Sequence, residues 1–380
     1  MNRSEELRKK HVSPAERVVV KIGTNLLTGE DRPIDERRIA ELVEQVAAAF
    51  DDGREVAVVS SGSIGAGMAG LGLSERPRTL PHLQATASVG QGKLVGEYDR
   101  QLRPHELHAA QILLTRDDFE SRLRYLNAAN TINTLFDLSC VPIINENDTI
   151  STEEIKFGDN DYLAAYVTHL IRADLLILLT SVPGLCRSDP AEADEPDVVS
   201  VVDEVDEDIE DLAVDRTSPG GAGGMKSKLD AARIATQAGE AAVIADGRRS
   251  DCLRRVLRGE DTGTLFLPAE DRLSSYKRWL RFTRRPQGTV RVDGGARDAL
   301  LNRGKSLLPS GVTAVRGSFG HGDTVRVCGP DDREIARGLT NYSSDEIESI
   351  KGLQTDEIED ALGYKDYDEV LHRDNLALST

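Results

Sequence analysis

Short aliphatic runs alternate with amphipathic stretches from about residue 17 to residue 268. RVVVKIG (17-23), REVAVVSS (54-61), LHAAQILLT (107-115), VPIINEN (141-147), DLLILLT (174-180) and AAVIADG (241-247) are rich in Val, Ile, Leu and Ala. Near-continuous apolar runs of this length mark strands buried on both faces, so they are expected in a mainly parallel sheet. Between them, 35-50, 125-138, 161-173 and 226-239 repeat their apolar positions at helical spacing. Strands alternating with helices predict a three-layer α/β/α sandwich.

Two stretches break the rhythm. Residues 188-215 are rich in Asp, Glu and Pro, with one short strand expected at 198-202, and read as an exposed excursion. Beyond Pro268, SSYKRWLRFTRRPQ (274-287) reads as a connecting helix and linker. Short segments at 288-295, 311-319, 322-329 and 334-343 then predict a small β-rich domain. The expected organisation is an α/β domain over 12-272, a linker over 273-285 and the β-rich domain over 286-375.

Composition sharpens this outline. Aromatic residues are only 4% of the chain against 39% hydrophobic overall, so the core must be aliphatic. The net charge of −18 argues against nucleic acid as the main partner, because binders of a phosphate backbone present a basic surface. A local basic face survives: residues 281-330 carry nine Lys or Arg and three Asp, whereas 331-380 carry five basic and fourteen acidic residues. The acid excess and the bias of 36 Arg to 11 Lys match salt-rich cytoplasm or a GC-rich genome, or simply a solvated surface. Cys140, Cys186, Cys252 and Cys328 show no metal-ligand spacing and read as reduced thiols. The charged N-terminal stretch has no apolar core, and the longest aliphatic run falls far short of the roughly 20 residues of a membrane span, so a cytoplasmic protein is expected.

In open α/β sheets ligands gather beyond the carboxyl ends of the strands, so the residues there carry the chemistry. They are Lys21 to Asn25, Ser60 to Ser63, Asn145 to Asp148, and Thr180-Ser181. Phe157 to Asp161 leads into one helix and Gly220 to Lys228 into another. Glycine-rich turns into helices offer unpaired N–H groups and the positive dipole end, both suited to phosphate. Lys21 and Lys228, on separate loops, supply charges able to bracket a transferring phosphoryl group. The seven histidines all lie outside these loops, which disfavours a His base or a Ser-His-Asp triad. A carboxylate acceptor fits, since with a pKa of about 4.3 it is ionised at neutral pH and needs no base. Gly65-x-Gly67-x-x-Gly70 matches a dinucleotide fingerprint, but 79-98 reads as helix and loop and provides no strand ending in an acidic residue to hold a ribose.

The ordered motifs resemble one family, the bacterial glutamate 5-kinases of the amino acid kinase superfamily. The resemblance rests on VVKIGTNLL (19-27), VVSSGSIGAGM (58-68), LLTRDDFESRLRYLNAANTI (113-132), VPIINENDTI (141-150), FGDNDYLAA (157-165) and GGAGGMKSKLDAA (220-232). Segments 292-312 and 334-347 look like a PUA domain. The resemblance implies phosphorylation of the side-chain carboxylate of L-glutamate by ATP, the first step of proline synthesis. It also implies a set of roles. Lys21 and Lys228 would stabilise the phosphoryl group in flight and Asp161 would orient them. Ser61, Asp148 and Asn160 would bind glutamate. Lys21, Thr180, Ser181 and the loop Ala222, Gly223, Gly224, Met225, Lys226, Ser227 and Lys228 would hold ATP. Mg2+ is expected on the nucleotide, mostly hydrated and held through phosphate oxygens rather than by a protein metal site.

Ser181, Ala222 and the Lys226-Ser227 pair depart from the family's usual residues, which leaves side-chain detail at the nucleotide open. Free proline as a feedback inhibitor and a homo-oligomer, dimer or tetramer, are further implications. Two alternatives stay open, a kinase for a different amino-acid carboxylate and an RNA-binding PUA protein with a kinase-like scaffold.

Overall fold

A computed structural model describes residues 2-27, 34-151, 160-188, 196-213, 224-269 and 286-379. The chain divides into two compact units, Met1–Arg272 and Leu273–Thr380. The linker expected at 273-285 lies outside the described residues.

The first unit opens with α1 (Arg3–His11), β1 (Arg17–Ile22), a single turn α2 (Thr24–Leu27), α3 (Glu36–Asp51) and β2 (Glu55–Ser60). It continues through α4 (Ser63–Leu71), α5 (Leu80–Leu102), β3 (His108–Leu114), α6 (Arg116–Glu120), α7 (Arg122–Asp137) and β4 (Cys140–Glu146). Then come α8 (Asn160–Leu170), β5 (Leu175–Thr180), β6 (Val201–Val202), α9 (Glu207–Asp211), α10 (Met225–Gln237), β7 (Ala241–Asp246), α11 (Cys252–Leu257) and β8 (Thr264–Phe266). The sheet order is β3-β4-β2-β1-β5-β7-β8-β6. All pairings are parallel except β7 with β8, so the last two strands run against the rest. Helices cover both faces of the expected α/β/α sandwich.

Five of the six expected strands form because nearly every residue in them can be buried: β1, β2, β4, β5 and β7 are covered along almost their whole length, whereas β3, at the edge of the sheet, buries only Leu114. The α1 helix was not expected, and it extends the first unit ahead of residue 12. Its sequence is polar, but a capping box between Asn2 and Glu5 starts it. The fully buried Arg8 then fixes it to the carbonyls of Ser200, Thr262 and Gly263 at 3.0, 3.0 and 2.7 Å. In the acidic excursion, only Val201–Val202 of the expected strand pairs into the sheet, on β8; residues 189-195 lie outside the described residues.

One continuous 23-residue helix, α5, replaces the expected helix and loop at 79-98. Three glycines hide it in the sequence, since each costs a helix about 1 kcal/mol relative to Ala. Gly90 is there for packing: a Cβ on it would stand 1.7 Å from the carbonyl oxygen of Ser63 on α4. Across the same contact, a Cβ on Gly67 would stand 1.8 Å from the carbonyl oxygen of Thr86. The fingerprint-like glycines thus include one that lets two helices touch.

The second unit is a five-stranded sheet ordered β10-β9-β11-β12-β13, comprising β9 (Gly288–Val292), β10 (Val312–Gly317), β11 (Thr324–Cys328), β12 (Glu334–Leu339) and β13 (Leu376–Leu378). Only β9 with β11 is parallel. Val290, Val325, Val327, Tyr342, Ile347 and Leu371 lie in its own core, and helix Gly294–Arg303 starts on an Asp293 cap.

Candidate active site

Within the first unit, β1 is the strand at which chain direction divides. Its chain leaves toward β2, whereas β5, its other neighbour, leads on to β7. Such a reversal opens a crevice at the carboxyl ends of the two strands, where ligands bind in open α/β sheets. Alternation along β1 sends Val18, Val20 and Ile22 into the core shared with α3 and α11. Val19 and Lys21 therefore lie on the opposite face, the side of α8.

Lys21 ends in a buried charge cluster. Its Nζ stands 2.5 Å from Oδ1 of Asp161, and Lys228 Nζ stands 3.1 Å from Oδ2 of the same carboxylate. Ser227 Oγ lies 2.8 Å from that second oxygen and 3.0 Å from the carbonyl oxygen of Gly224, at the start of α10. Lys21, Asp161 and Lys228 are all buried. Burial alone would push the Asp161 carboxyl upward, but the two ammonium groups and the Ser227 hydroxyl outweigh it and hold the group well below the usual carboxylate range. The cluster carries two positive charges on one negative, so it is a ready partner for an anion.

A second cluster, of amides and hydroxyls, begins one residue earlier on α8. Asn160 Nδ2 lies 2.8 Å from both Ser61 Oγ, just past β2, and Asn145 Oδ1, near the end of β4. Ser63 Oγ donates to Asp148 Oδ2 at 3.0 Å, from the first turn of α4. Gly62 precedes that turn with φ of 108°, a left-handed conformation that a side chain would strain. Because Asn160 and Asp161 are consecutive, the neutral cluster and the charged one adjoin.

The sequence reading left out three features of this arrangement. Asn145 Oδ1 accepts from Asn160 and from the Glu146 amide, while its Nδ2 is buried with no hydrogen-bond partner among the described residues, a donor available to a ligand. Ser63 was read only as part of a loop. The third is α5, which grips the segment carrying Asp148: Gln84 Nε2 donates to the Ser151 carbonyl at 3.1 Å, and Ser88 Oγ meets Thr149 Oγ1 at 3.0 Å. Only the position of Asn145 at a strand's carboxyl end signals such a role in the sequence.

The nucleotide-side residues are more dispersed. Thr180 ends β5 beside β1, and its carbonyl accepts from Gly247; Ser181 follows it. Met225 is buried, whereas Lys226 is exposed, so the lysine at 226 does not join the buried pair Lys21 and Lys228. Two positions before Lys228, it falls on the far side of the helix. Ala222 and Gly223 lie outside the described residues.

Residues 16-246 match the amino acid kinase family, and residues 288-362 match the PUA domain. A glutamate 5-kinase from Citrifermentans bemidjiense is 47% identical over 372 residues, 98% of this chain and 100% of that protein. Another from Caldanaerobacter subterraneus subsp. tengcongensis is 47% identical over 362 residues, 95% of this chain and 97% of that one. Among solved structures, a carbamate kinase from Giardia lamblia is 18% identical, with a TM-score of 0.48 over 68% of this chain and 100% of that chain.

Proposed function

The chain belongs to the amino acid kinase family and, within it, to the glutamate 5-kinases, and from that premise we propose how its two adjoining clusters divide the reaction. The activity is ATP-dependent phosphorylation of the side-chain carboxylate of L-glutamate to L-glutamyl 5-phosphate, which makes the chain an enzyme of proline biosynthesis.

Asp148 takes the α-ammonium of glutamate, and Ser61, Asn160 and the free amide of Asn145 donate to its carboxylates. The side-chain carboxylate, already ionised, attacks the γ-phosphorus of ATP as the bond to the ADP oxygen breaks, so no general base is required. Lys21 and Lys228 meet the charge that spreads over the phosphoryl oxygens in the transition state. Asp161 pairs with both ammonium groups and aims them. Thr180, Ser181 and the segment from Ala222 to Lys228 hold the nucleotide, with Lys226 contributing charge from the surface.

Mg2+ would travel with ATP and neutralise its phosphates. Asp161 has both oxygens within ion-pair distance of ammonium groups, so the residues present fit a hydrated ion held through phosphate better than a protein-bound one. Cytoplasmic location, a dimer or tetramer, and inhibition by free proline complete the proposal. Among the described residues no helix is long and apolar enough to cross a membrane.

The observation that carries the mechanism is one buried carboxylate shared by two lysines. Incubation with Mg-ATP and L-glutamate in hydroxylamine should trap the acyl phosphate as its hydroxamate. Hydroxamate from aspartate or acetylglutamate, and none from glutamate, would overturn the substrate.

A further inference from the structure

Polar ties between α8 and α10 continue beyond the two clusters. One residue past Asp161, the Tyr162 hydroxyl donates to Oδ2 of Asp230 at 2.7 Å, and Asp230 stands two residues past Lys228. Its other oxygen accepts from Arg233 Nη2 at 2.6 Å, and Arg233 Nη1 pairs with Glu210 of α9, in the acidic excursion. At the far end of the two helices, His169 Nδ1 lies 2.9 Å from Oε2 of Glu240, both buried.

Partly exposed ties such as those around Asp230 add only about 0–1 kcal/mol to stability, and a polar contact between two helices serves chiefly to fix their register. Register matters here because Lys228 lies in the first turn of α10 and Asp161 in the first turn of α8. The rise per helical residue is about 1.5 Å, so a slip of one residue would move the Lys228 ammonium from contact with the carboxylate to beyond it. Misplacement by about 1 Å suffices to cost a reaction of this kind around a hundredfold.

We propose that Tyr162 and Asp230 are positioning residues for phosphoryl transfer, their hydrogen bond fixing the axial register of α10 against α8 and so the place of the Lys228 ammonium. Arg233 and Glu210 hold the Asp230 carboxylate toward Tyr162, which gives the acidic excursion a mechanical role. The proposal rests on the reading of Lys228 as a phosphoryl contact.

The test is steady-state kinetics of Tyr162→Phe, Asp230→Leu, Asp230→Asn and the double variant Tyr162→Phe/Asp230→Leu, with Lys228→Ala beside them and a melting curve for each. Loss of the phenol hydroxyl should lower kcat about five- to tenfold, with both KM values within twofold of wild type. Asp230→Asn still offers an oxygen to the phenol and should stay well above Asp230→Leu. The double variant should be no slower than the slower single one, because both remove the same bond. A purely structural role would lower the melting temperature and leave kcat per folded molecule unchanged, which would overturn the proposal. So would losses that multiply in the double variant. If Tyr162→Phe fails to fold, the comparison of Asp230→Asn with Asp230→Leu decides. A slow Lys228→Ala beside a Tyr162→Phe of wild-type rate sinks the positioning role alone, whereas a Lys228→Ala of wild-type rate sinks the site reading beneath it.

Discussion

Lys21 Nζ stands 2.5 Å from Oδ1 of Asp161, with the side chains only 4% and 0% exposed. The pair has lost its hydration, and Lys228 and Ser227, by engaging the second carboxylate oxygen, help offset that cost. Asp161→Asn would leave two ammonium groups facing each other in a buried site. It should cost about 3 kcal/mol of stability, in line with breaking a buried pair, and lower kcat at least about a hundredfold. The pH dependence has a definite sign. Because the folded carboxyl titrates below its ordinary value of 3.8, its contribution is complete above that value and is lost only as pH falls toward the depressed one. Urea unfolding should therefore show a constant gap between wild type and Asp161→Asn from pH 7 to pH 5, narrowing only below about pH 4. A gap that closes near neutrality would contradict the depressed carboxyl.

Lys228 meets charge that exists mainly in the transition state. Lys228→Ala should therefore lower kcat by about a hundredfold or more while the KM for glutamate stays within threefold. Initial-rate measurements over both substrates decide this. A raised KM at unchanged kcat would move Lys228 from the transferring phosphoryl group to ground-state binding.

The parts legible in the sequence were those with a local cause. Five of the six strands were visible because the parallel sheet buries them on both faces, the edge strand β3 being the exception. Lys21 and Lys228 stood out in glycine-containing loops at strand and helix ends, whereas the role of Asp161 entered only through the family resemblance. The α5 helix was not legible, because Gly90 looks like a break until the carbonyl of Ser63 is placed against it. The three-residue β8 gave too little pattern to show that it runs antiparallel. The polar α1 had no apolar stripe to announce it, since its anchor is an arginine. The resemblance placed Lys226 in the nucleotide-holding loop beside Lys228, whereas helical periodicity turns it outward. Tyr162 and Asp230 are 68 residues apart, and nothing local to either marks the bond.

Asn160 donates to groups that come from two different strand ends. Asn160→Ala should release Ser61 and Asn145 from a common geometry and raise the KM for glutamate about tenfold, the loss of roughly one or two hydrogen bonds. The KM for ATP should stay within twofold, because the adjoining Asp161 and its lysines are left in place. Equal rises in both constants would show that the two clusters are not separable in this way.

The meeting of α4 and α5 gives a pair of glycines with opposite expected outcomes on one helix. A methyl group at Gly90 would stand 1.7 Å from the Ser63 carbonyl oxygen and 2.5 Å from the Gly67 nitrogen, backbone atoms with no side-chain freedom to yield. Gly90→Ala must push α4 away and should cost about 3 kcal/mol, the upper range for overpacking. Gly92 has nothing within 4 Å of the same methyl position, and Gly92→Ala should be neutral or stabilise by about 0.5–1 kcal/mol through helix propensity. The damage at Gly90 should also reach the substrate, because Ser63, the residue it would strike, donates to Asp148 at 3.0 Å. Below its melting temperature, Gly90→Ala should therefore show a raised KM for glutamate that Gly92→Ala lacks. Matching melting curves for the two variants would show that α4 and α5 do not need this close approach.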